Sequence, residues 1–488
     1  MADRAAVIFG NKIDSRTYAK ACRAKQKHAR KFGCDGSETC HLQIADLPVI
    51  GDRFGAKWLK PAGQQTGPAD FSSIEKPVIV GNIRMGFGHY RISMAMASAA
   101  AALGYTPLWF DLMGFPGTAA TQLIAQQNEL YSMGSRLSQK IWLFNKLVWE
   151  PLNSEGFRKL TYNAADQKNA ELMVAPYADL PRDVPFIGTH AWPAQAAVHA
   201  GMTHVVNAIP DNWPMALHLS EGATHAIQTP SAFLGYKALR GMDKRRQLNP
   251  MPEGSIVYTG HYVDHELVLN IPFDCLRRID RALDGEPTRY LLSVGGAGAQ
   301  QDLFRGIIEH LLPFIDADQA ALFVNVGDHK NVWDDLKASI PQLAQATEHF
   351  DDFAETEAFA NAAIDGEAHG IHAFGNDDIF AAVYSTNLLM RACDLLVTKP
   401  SELAFYPVPK LMIKRVGGHE AWGAIRAAEV GDGTYELETL PEICAMIDLV
   451  QAEPSIIAEM CDNIVAADAV GTYDGAYRVV QLACGEEA

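Results

Sequence analysis

From residue 77 onward, short apolar runs, several of them apolar throughout, alternate with longer stretches in which apolar residues recur every three or four positions. The first pattern reads as strands covered on both faces and the second as helices laid against them. The alternation therefore reads as repeated β–α units with parallel strands. The runs are "PVIVGN", "PLWFDL", "PFIGTH", "HVVNAIP", "HAIQTP" and "SIVYTGH"; after "DGEPT" the rhythm restarts with "RYLLSVGG", "ALFVNVGD", "IHAFGN", "LLVTKP" and "KLMIKR". The restart predicts an α/β protein of two doubly wound, Rossmann-like domains facing a cleft. Residues 77–270 form the first and residues 271–488 the second, with the last helix crossing back. Residues 1–76 break the rhythm. "RTYAKACRAKQKHARKFG" reads as a basic helix and "KPAGQQTGPADFSS" as a loop, so this segment is expected to be an extension of unassigned role that decorates the first domain.

Ligands of doubly wound sheets bind beyond the carboxyl ends of the strands, so the strand-end loops carry the candidate chemistry. The first is "MGFGHYR". Gly86 and Gly88 let backbone N–H groups approach a ligand, the following helix start adds partial positive charge, and His89 and Arg91 stand where they would touch what binds. A tight turn carrying a surface histidine is the plainer alternative. In the second half, "RYLLSVGGAGAQQDLFRGIIEHLLPFI" ends a strand at Val294 and turns through Gly295, Gly296, Gly298 and Ala299. It then enters a helix with an apolar stripe at Leu303, Phe304, Ile307, Ile308, Leu311 and Leu312. The spacing is neither G-x-G-x-x-G nor a P-loop, yet unpaired amides at a helix start suit a phosphate or diphosphate. A simple tight turn is the alternative here too. Two further loops follow. "TKPSE" places Ser401 and Glu402 where they can bond ribose or sugar hydroxyls. "RVGGHEAWG" opens at Gly417 and Gly418 and presents His419 and Glu420 at a helix start.

Composition narrows the field. A chain of 488 residues is too long for one ordinary core, and 48% hydrophobic with 20% charged residues fits a globular enzyme. A net charge of −17 argues against nucleic acid as a partner. The longest uncharged run, 19 residues between Arg91 and Asp111, contains Gly104 and Pro107 and reads as a buried helix followed by a strand, not a membrane span. "MADRAAVIFG" is no secretory signal. Eight cysteines lie without close pairs, as reduced thiols of a cytoplasmic protein would. Cys22, Cys34, Cys40 and His41 are the one grouping a zinc ion could use, and they lack the C-x₂-C spacing of a firm zinc site.

"GFGHYR", "GGAGAQ", "DLLVTKPSE" and "GGHEAWG" occur in the order and at separations similar to those of the GT-B glycosyltransferases. The resemblance is to the branch holding monogalactosyldiacylglycerol synthases and the bacterial enzyme that adds N-acetylglucosamine to lipid I. It spans roughly residues 77 to 480. It implies a GT-B-like fold and transfer of a sugar from a nucleotide-diphosphate donor, a UDP-sugar first, to a hydroxyl acceptor. The donor is a co-substrate and neither cofactor nor metal is implied. Donor and phosphate contacts fall on Gly295, Gly296, Gly298, Ala299, Ser401, Glu402, Gly418, His419 and Glu420, and acceptor contacts on Gly86, Gly88 and Arg91. The third loop has His419 where the family has Gln, and Gly423 where it has Asn.

Transfer needs a stabilised diphosphate and a base for the acceptor hydroxyl. His89 is the candidate base, with Asp211 of "IPDNW" to orient it or the acceptor; Asp211 as a helix cap is the alternative. His190 of "GTHAWP" is a similar but weaker candidate, with a packed strand-end histidine as the alternative. The stretch "SRLSQKIWLFNKLVWEPLNSEGFRK" interleaves Trp142, Phe144, Trp149 and Phe157 with Arg136, Lys140, Lys146, Arg158 and Lys159. It suits an amphiphilic or lipid acceptor and peripheral contact with the inner face of a membrane, or else packs its aromatics into the domain. A nucleotide-sugar epimerase and a non-catalytic nucleotide-sugar-binding protein stay open as other classes.

Overall fold

The computed structural model of the chain describes residues 3–63, 69–140, 146, 155–294 and 300–486. A small hairpin, β1 (Val7–Ile8) and β2 (Asn11–Lys12), precedes two sheets. The first sheet is built from β3 (Leu42–Asp46), β4 (Lys57–Pro61), β5 (Pro77–Asn82), β6 (Thr106–Asp111), β7 (Phe186–Gly188), β8 (Val205–Ala208), β9 (Thr224–Ile227) and β10 (Ile256–Tyr258). Their spatial order is β10-β9-β8-β7-β5-β6-β4-β3, parallel throughout except for β3 against β4. The second sheet holds β11 (Thr288–Ser293), β12 (Ala320–Asn325), β13 (Thr347–Phe350), β14 (Gly370–Gly375), β15 (Leu395–Thr398) and β16 (Lys410–Met412). It is all parallel, in the order β13-β14-β12-β11-β15-β16. Two doubly wound domains thus face each other across a cleft, the architecture expected of the apolar rhythm.

Every apolar run named above coincides with a strand whose start lies within a residue of it or inside it. The strands of the two sheets that rhythm missed lie at a sheet edge (β3, β13) or next to one (β4). β3, β4 and β13 read "LQIAD", "KWLKP" and "TEHF", and their residues are mostly half-buried or exposed. An edge strand has one flank in water and carries charges there, so it loses the apolar signature. The first 76 residues are therefore no mere decoration: β4 pairs in parallel with β6 and extends the first sheet.

The helix Gly88–Ala102 has no polar face because nothing leaves it one. All residues from Tyr90 to Ala100 are buried. On one side it lies on β5 and β6; on others it meets Gly475–Cys484, the last helix, and Ile379–Ala392 of the second domain. Ala95, Ala97 and Ala99 share a core with Val78, Val80 and, from the last helix, Ala476, Val479 and Val480. Among the described residues no helix is long and apolar enough to cross a membrane.

Asp264, between the domains, is fully buried; it accepts a hydrogen bond from the Tyr406 hydroxyl at 3.1 Å, while its Oδ1 has no partner. Burial pushes its carboxyl up to about 7, with Arg91 and Tyr406 opposing. A folded-state pKa raised above the ordinary 3.8 gives stability that is complete below about pH 4 and lost as pH rises through 7. Asp264→Asn should therefore unfold at higher denaturant than the parent at pH 8, by on the order of 3 kcal/mol, with the gap closing toward pH 5. Equal stability at pH 8 would refute an uncompensated carboxylate here.

Candidate functional site

In the first sheet the chain runs from β5 to β6 on one side and resumes at β7 on the other, so the topological switch point lies between β5 and β7. In the second sheet it lies between β11 and β15. Crevices at such points are where doubly wound sheets bind ligands. His89, in the first turn of the helix after β5, spans the first of them. Its Nδ1 lies 2.8 Å from the carbonyl oxygen of Thr189, just beyond β7. A carbonyl only accepts, so Nδ1 carries the proton and Nε2 keeps its lone pair. Ser93 Oγ donates to the His89 carbonyl at 2.8 Å and lies 2.8 Å from Thr189 Oγ1, which holds this turn against the neighbouring strand. Burial lowers the His89 pKa; the Thr189 carbonyl, Asp211 and Glu402 oppose it without prevailing. At neutral pH the imidazole is an uncharged base.

The His190 ring meets that of His89 edge-on at 4.9 Å. Its Nδ1 accepts the Trp192 N–H at 3.1 Å, and burial drives its pKa well down. His190 is a neutral helix cap. Asp211 follows β8. Burial alone would raise its pKa, but the hydrogen bond from His218, whose Nε2 is 3.0 Å away, and the nearby His419 and His89 hold it well below the usual carboxylate range. His218 Nδ1 in turn lies 2.7 Å from the Tyr236 hydroxyl. The reading of Asp211 as a direct orienter of His89 is thus corrected: its bonded partner is His218, and it acts on His89 through space.

From the second domain, Glu402 follows β15 and rests against Gly88: a Cβ on that glycine would come within 3.1 Å of Glu402 Oε2. Glu402 Oε1 is 3.7 Å from Arg91 Nε. Arg91 itself is 1% exposed; Nη1 donates to Asn387 Oδ1 at 2.8 Å and to the Val383 carbonyl at 3.2 Å, and Nη2 to Thr386 Oγ1 at 3.2 Å. Arg91 bridges the domains and is not open to an acceptor, which corrects its expected role. Ser401 lies beside Glu402, half-buried. Glu420 is likewise committed. Its Oε2 accepts the Val416 and Gly417 N–H groups at 2.7 and 3.0 Å, and Oε1 pairs with Lys399, so it closes its own loop instead of facing a donor. Gly418 begins the short turn Gly418–Glu420. His419 folds over Gly417, and its Nδ1 is buried without a partner. Gly423 has a packing cause: a Cβ there would meet the Pro400 carbonyl oxygen at 2.5 Å, so the family's Asn would not fit.

Gly295, Gly296, Gly298 and Ala299 lie outside the described residues, as do Trp142 and Trp149. At the far edge of that loop, Gln300 adopts φ +73° and opens the helix Gln301–Asp316. Its Nε2 donates to the Lys414 carbonyl at 2.5 Å, which ties this helix start to the loop after β16. Of the basic-aromatic stretch, Phe157 packs edge-on against Tyr162 at 5.0 Å, and Arg158 is buried, donating from Nε and Nη2 to the Arg240 carbonyl. These two residues face inward, not toward a membrane.

Several cleft residues carried no motif. A cavity of about 330 Å³ between the domains is lined by Arg84, Gly86, Phe87, Met113, Asp328 and His329, with Asn128 and Glu129. Gly86 has φ +72° there. Arg84 reaches Asp328 Oδ2 at 2.7 Å, and the Phe87 ring lies so close to Gly327 that a Cβ would meet it at 2.6 Å. Trp213 and Trp422 stack across the cleft with centroids 5.0 Å apart and planes 17° apart, and the Arg158 guanidinium caps Trp213 at 4.5 Å. Both tryptophans sit in loops singled out by sequence, "IPDNWP" and "GGHEAWG"; only the fold pairs them. Among the described residues no group of three or more His, Cys, Asp or Glu is gathered to hold a metal ion. The Cys34 thiol donates to the Gly117 carbonyl, and His41 lies 3.1 Å from Asp179.

Two family profiles match the chain: Domain of unknown function (DUF6937) over residues 7–238 and Domain of unknown function (DUF6938) over residues 251–484. No curated protein matches. Among solved structures the chain is similar to a UDP-GlcNAc 2-epimerase from Neisseria meningitidis bound to UDP-GlcNAc. That likeness has 10% identity and a TM-score of 0.43, and covers 84% of this chain and 97% of that one. It is also similar to an alpha,alpha-trehalose 6-phosphate synthase from Burkholderia multivorans (11% identity, TM-score 0.42, 84% and 99% covered). A glycosyltransferase from Rickettsia africae gives 12% identity and a TM-score of 0.39, with 84% and 97% covered. Likeness at this level says nothing of substrate or reaction.

Proposed function

We propose that the chain transfers a glycosyl group from a nucleotide-diphosphate sugar, a uridine nucleotide first, to a hydroxyl acceptor. The observation that carries this reading is the meeting of the two switch points: Glu402 of the second domain lies against Gly88, one residue from the uncharged His89. His89 Nε2 takes the acceptor proton as the acceptor oxygen bonds the anomeric carbon and the carbon–oxygen bond to the diphosphate breaks. The released negative charge falls to the glycine-rich residues 295–299, as their sequence suggests, and to the helix start at Gln301. Glu402 is placed for a sugar or ribose hydroxyl. For the acceptor, the helix Ala119–Lys140, which helps line the 330 Å³ cavity, exposes Leu130, Met133 and Leu137 on adjoining turns. That stripe favours an amphiphile such as an alkyl glycoside.

A thermal-shift series with UDP, GDP, dTDP and their sugar conjugates tests the donor side. At a hundredfold excess over Kd, a bound nucleotide adds about 2.7 kcal/mol of stability, so the uridine nucleotides should raise the melting temperature clearly. Gly298→Asp, which puts bulk and negative charge into the glycine-rich sequence, should erase that rise. Melting curves unchanged across the whole series would sink the proposal.

One observation favours a second reading. Asp211, His218 and Glu402 act electrostatically on His89, and His218, His419 and His89 on Asp211; these are more acid–base groups than a single displacement needs, and a nucleotide-sugar epimerase would use them. Sugar conversion without any acceptor would establish that reading, and release of free nucleotide only with acceptor present would exclude it.

A further inference from the structure

A second cavity, of about 210 Å³, is lined by residues of the first domain alone. Its wall is made by Asp166 and Tyr162 of the helix Leu160–Ala170, by Leu123 and Gln127 of Ala119–Lys140, by His28 of Ser15–Phe32, and by Trp192. Asp166 is 3% exposed and Trp192 5%, yet neither Asp166 Oδ2 nor Trp192 Nε1 has a hydrogen-bond partner. A buried carboxyl without a partner costs free energy that the fold does not recover by itself. Burial pushes the Asp166 carboxyl up to about 8, and the indole beside it offsets only a little. Among the described residues no cation acts on it: His28, the basic group on the wall, is engaged with Asn169 Oδ1 at 3.0 Å. The remaining wall is aromatic and aliphatic, which suits the hydrocarbon part of a ligand and the face-on approach of a positive charge.

We infer that this cavity binds a small organic ammonium, its N–H groups donating to Asp166 and its carbon skeleton lying against Trp192, Tyr162 and Leu123. A cation is favoured over a neutral alcohol because it alone compensates a buried carboxylate. Occupation moves one proton: Asp166 gives its proton to solvent when the ammonium docks. This site is independent of the glycosyl-transfer reading and stands or falls without it.

The probe is n-butylammonium chloride, which keeps its charge across the working range as a lysine does, titrated calorimetrically into the full chain at pH 6.5 and 8.5. Affinity should rise at least fivefold between the two. The apparent heat at pH 6.5 should differ between phosphate and Tris buffers, reporting the released proton. Asp166→Asn should weaken binding at least tenfold while melting no lower than the parent, and His89→Ala should bind as the parent does. Should Asp166→Asn fail to fold, n-butanol on the parent chain decides: it should bind at least tenfold more weakly than n-butylammonium. Equal affinity for the alcohol and the ammonium, binding that ignores pH, full affinity in Asp166→Asn, or no heat at millimolar probe would each overturn the assignment.

Discussion

His89→Ala should lower the rate of sugar transfer by about 10²–10⁴-fold, the usual range for removal of a general base, and leave nucleotide affinity near that of the parent. The expectation follows from how the imidazole is held. Its Nδ1 proton is spent on the Thr189 carbonyl, so Nε2 is the one basic atom it can offer. Its pKa is lowered by burial from the ordinary 6.5. A base works in its uncharged form, so kcat/KM should stay level from pH 8 down to 6.5 and fall only below that. A neutral packed histidine with no role would leave both profile and rate unmoved. His89→Gln adds a control: the amide can still donate to Thr189 and so keeps the turn, but it has no lone pair of useful basicity. Steady-state rates with a uridine-sugar donor and an alkyl glycoside acceptor, alongside nucleotide titrations, separate chemistry from binding. Turnover of His89→Ala within threefold of the parent would remove this residue from the mechanism.

What could be read from the chain alone divides by physical cause. Central parallel strands advertise themselves because both faces are dry: β5, β6, β11, β12 and β15 are buried along almost their whole length and mostly apolar. The edge strands β3 and β13, and β4 beside β3, do not, since water and charge reach the rim of a sheet. The helix after β5 was conspicuous for lacking a polar face; the reason, a second domain and a returning helix packed on it, is a tertiary fact beyond any local pattern. Side-chain roles follow the same division. Gly423 is glycine because the Pro400 carbonyl leaves no room for a Cβ, and at Gly88 the Glu402 carboxylate crowds one. Spacing identified both loops but could not say which neighbour forbids a Cβ. Arg91 and Glu420 sit in suggestive loops, yet one is consumed by the domain interface and the other by its own turn. His218, which holds Asp211, stands in "ALHLSEG", a stretch with no motif at all.

Arg91→Ala should cost about 3–5 kcal/mol, the range for stripping one member from a buried charged cluster, with a cavity term in addition. The guanidinium is 1% exposed and leaves behind three acceptors inside the interface: Asn387 Oδ1, the Val383 carbonyl and Thr386 Oγ1. None of them gains water easily, and each forfeits a charge-assisted bond. Arg91→Lys separates the contributions. One ammonium keeps the charge near Glu402 but cannot fork to both Asn387 and Thr386, so it should recover less than half of the loss. Because Arg91 is what joins the first switch point to the helix Ile379–Ala392, its removal should also make the two domains unfold at separate denaturant concentrations. Intrinsic fluorescence, which reads the Trp213–Trp422 stack, would then part company with far-ultraviolet circular dichroism. Coincident transitions at the parent's midpoint would mean that the domains are held together elsewhere, and that the approach of Glu402 to Gly88 does not depend on this arginine.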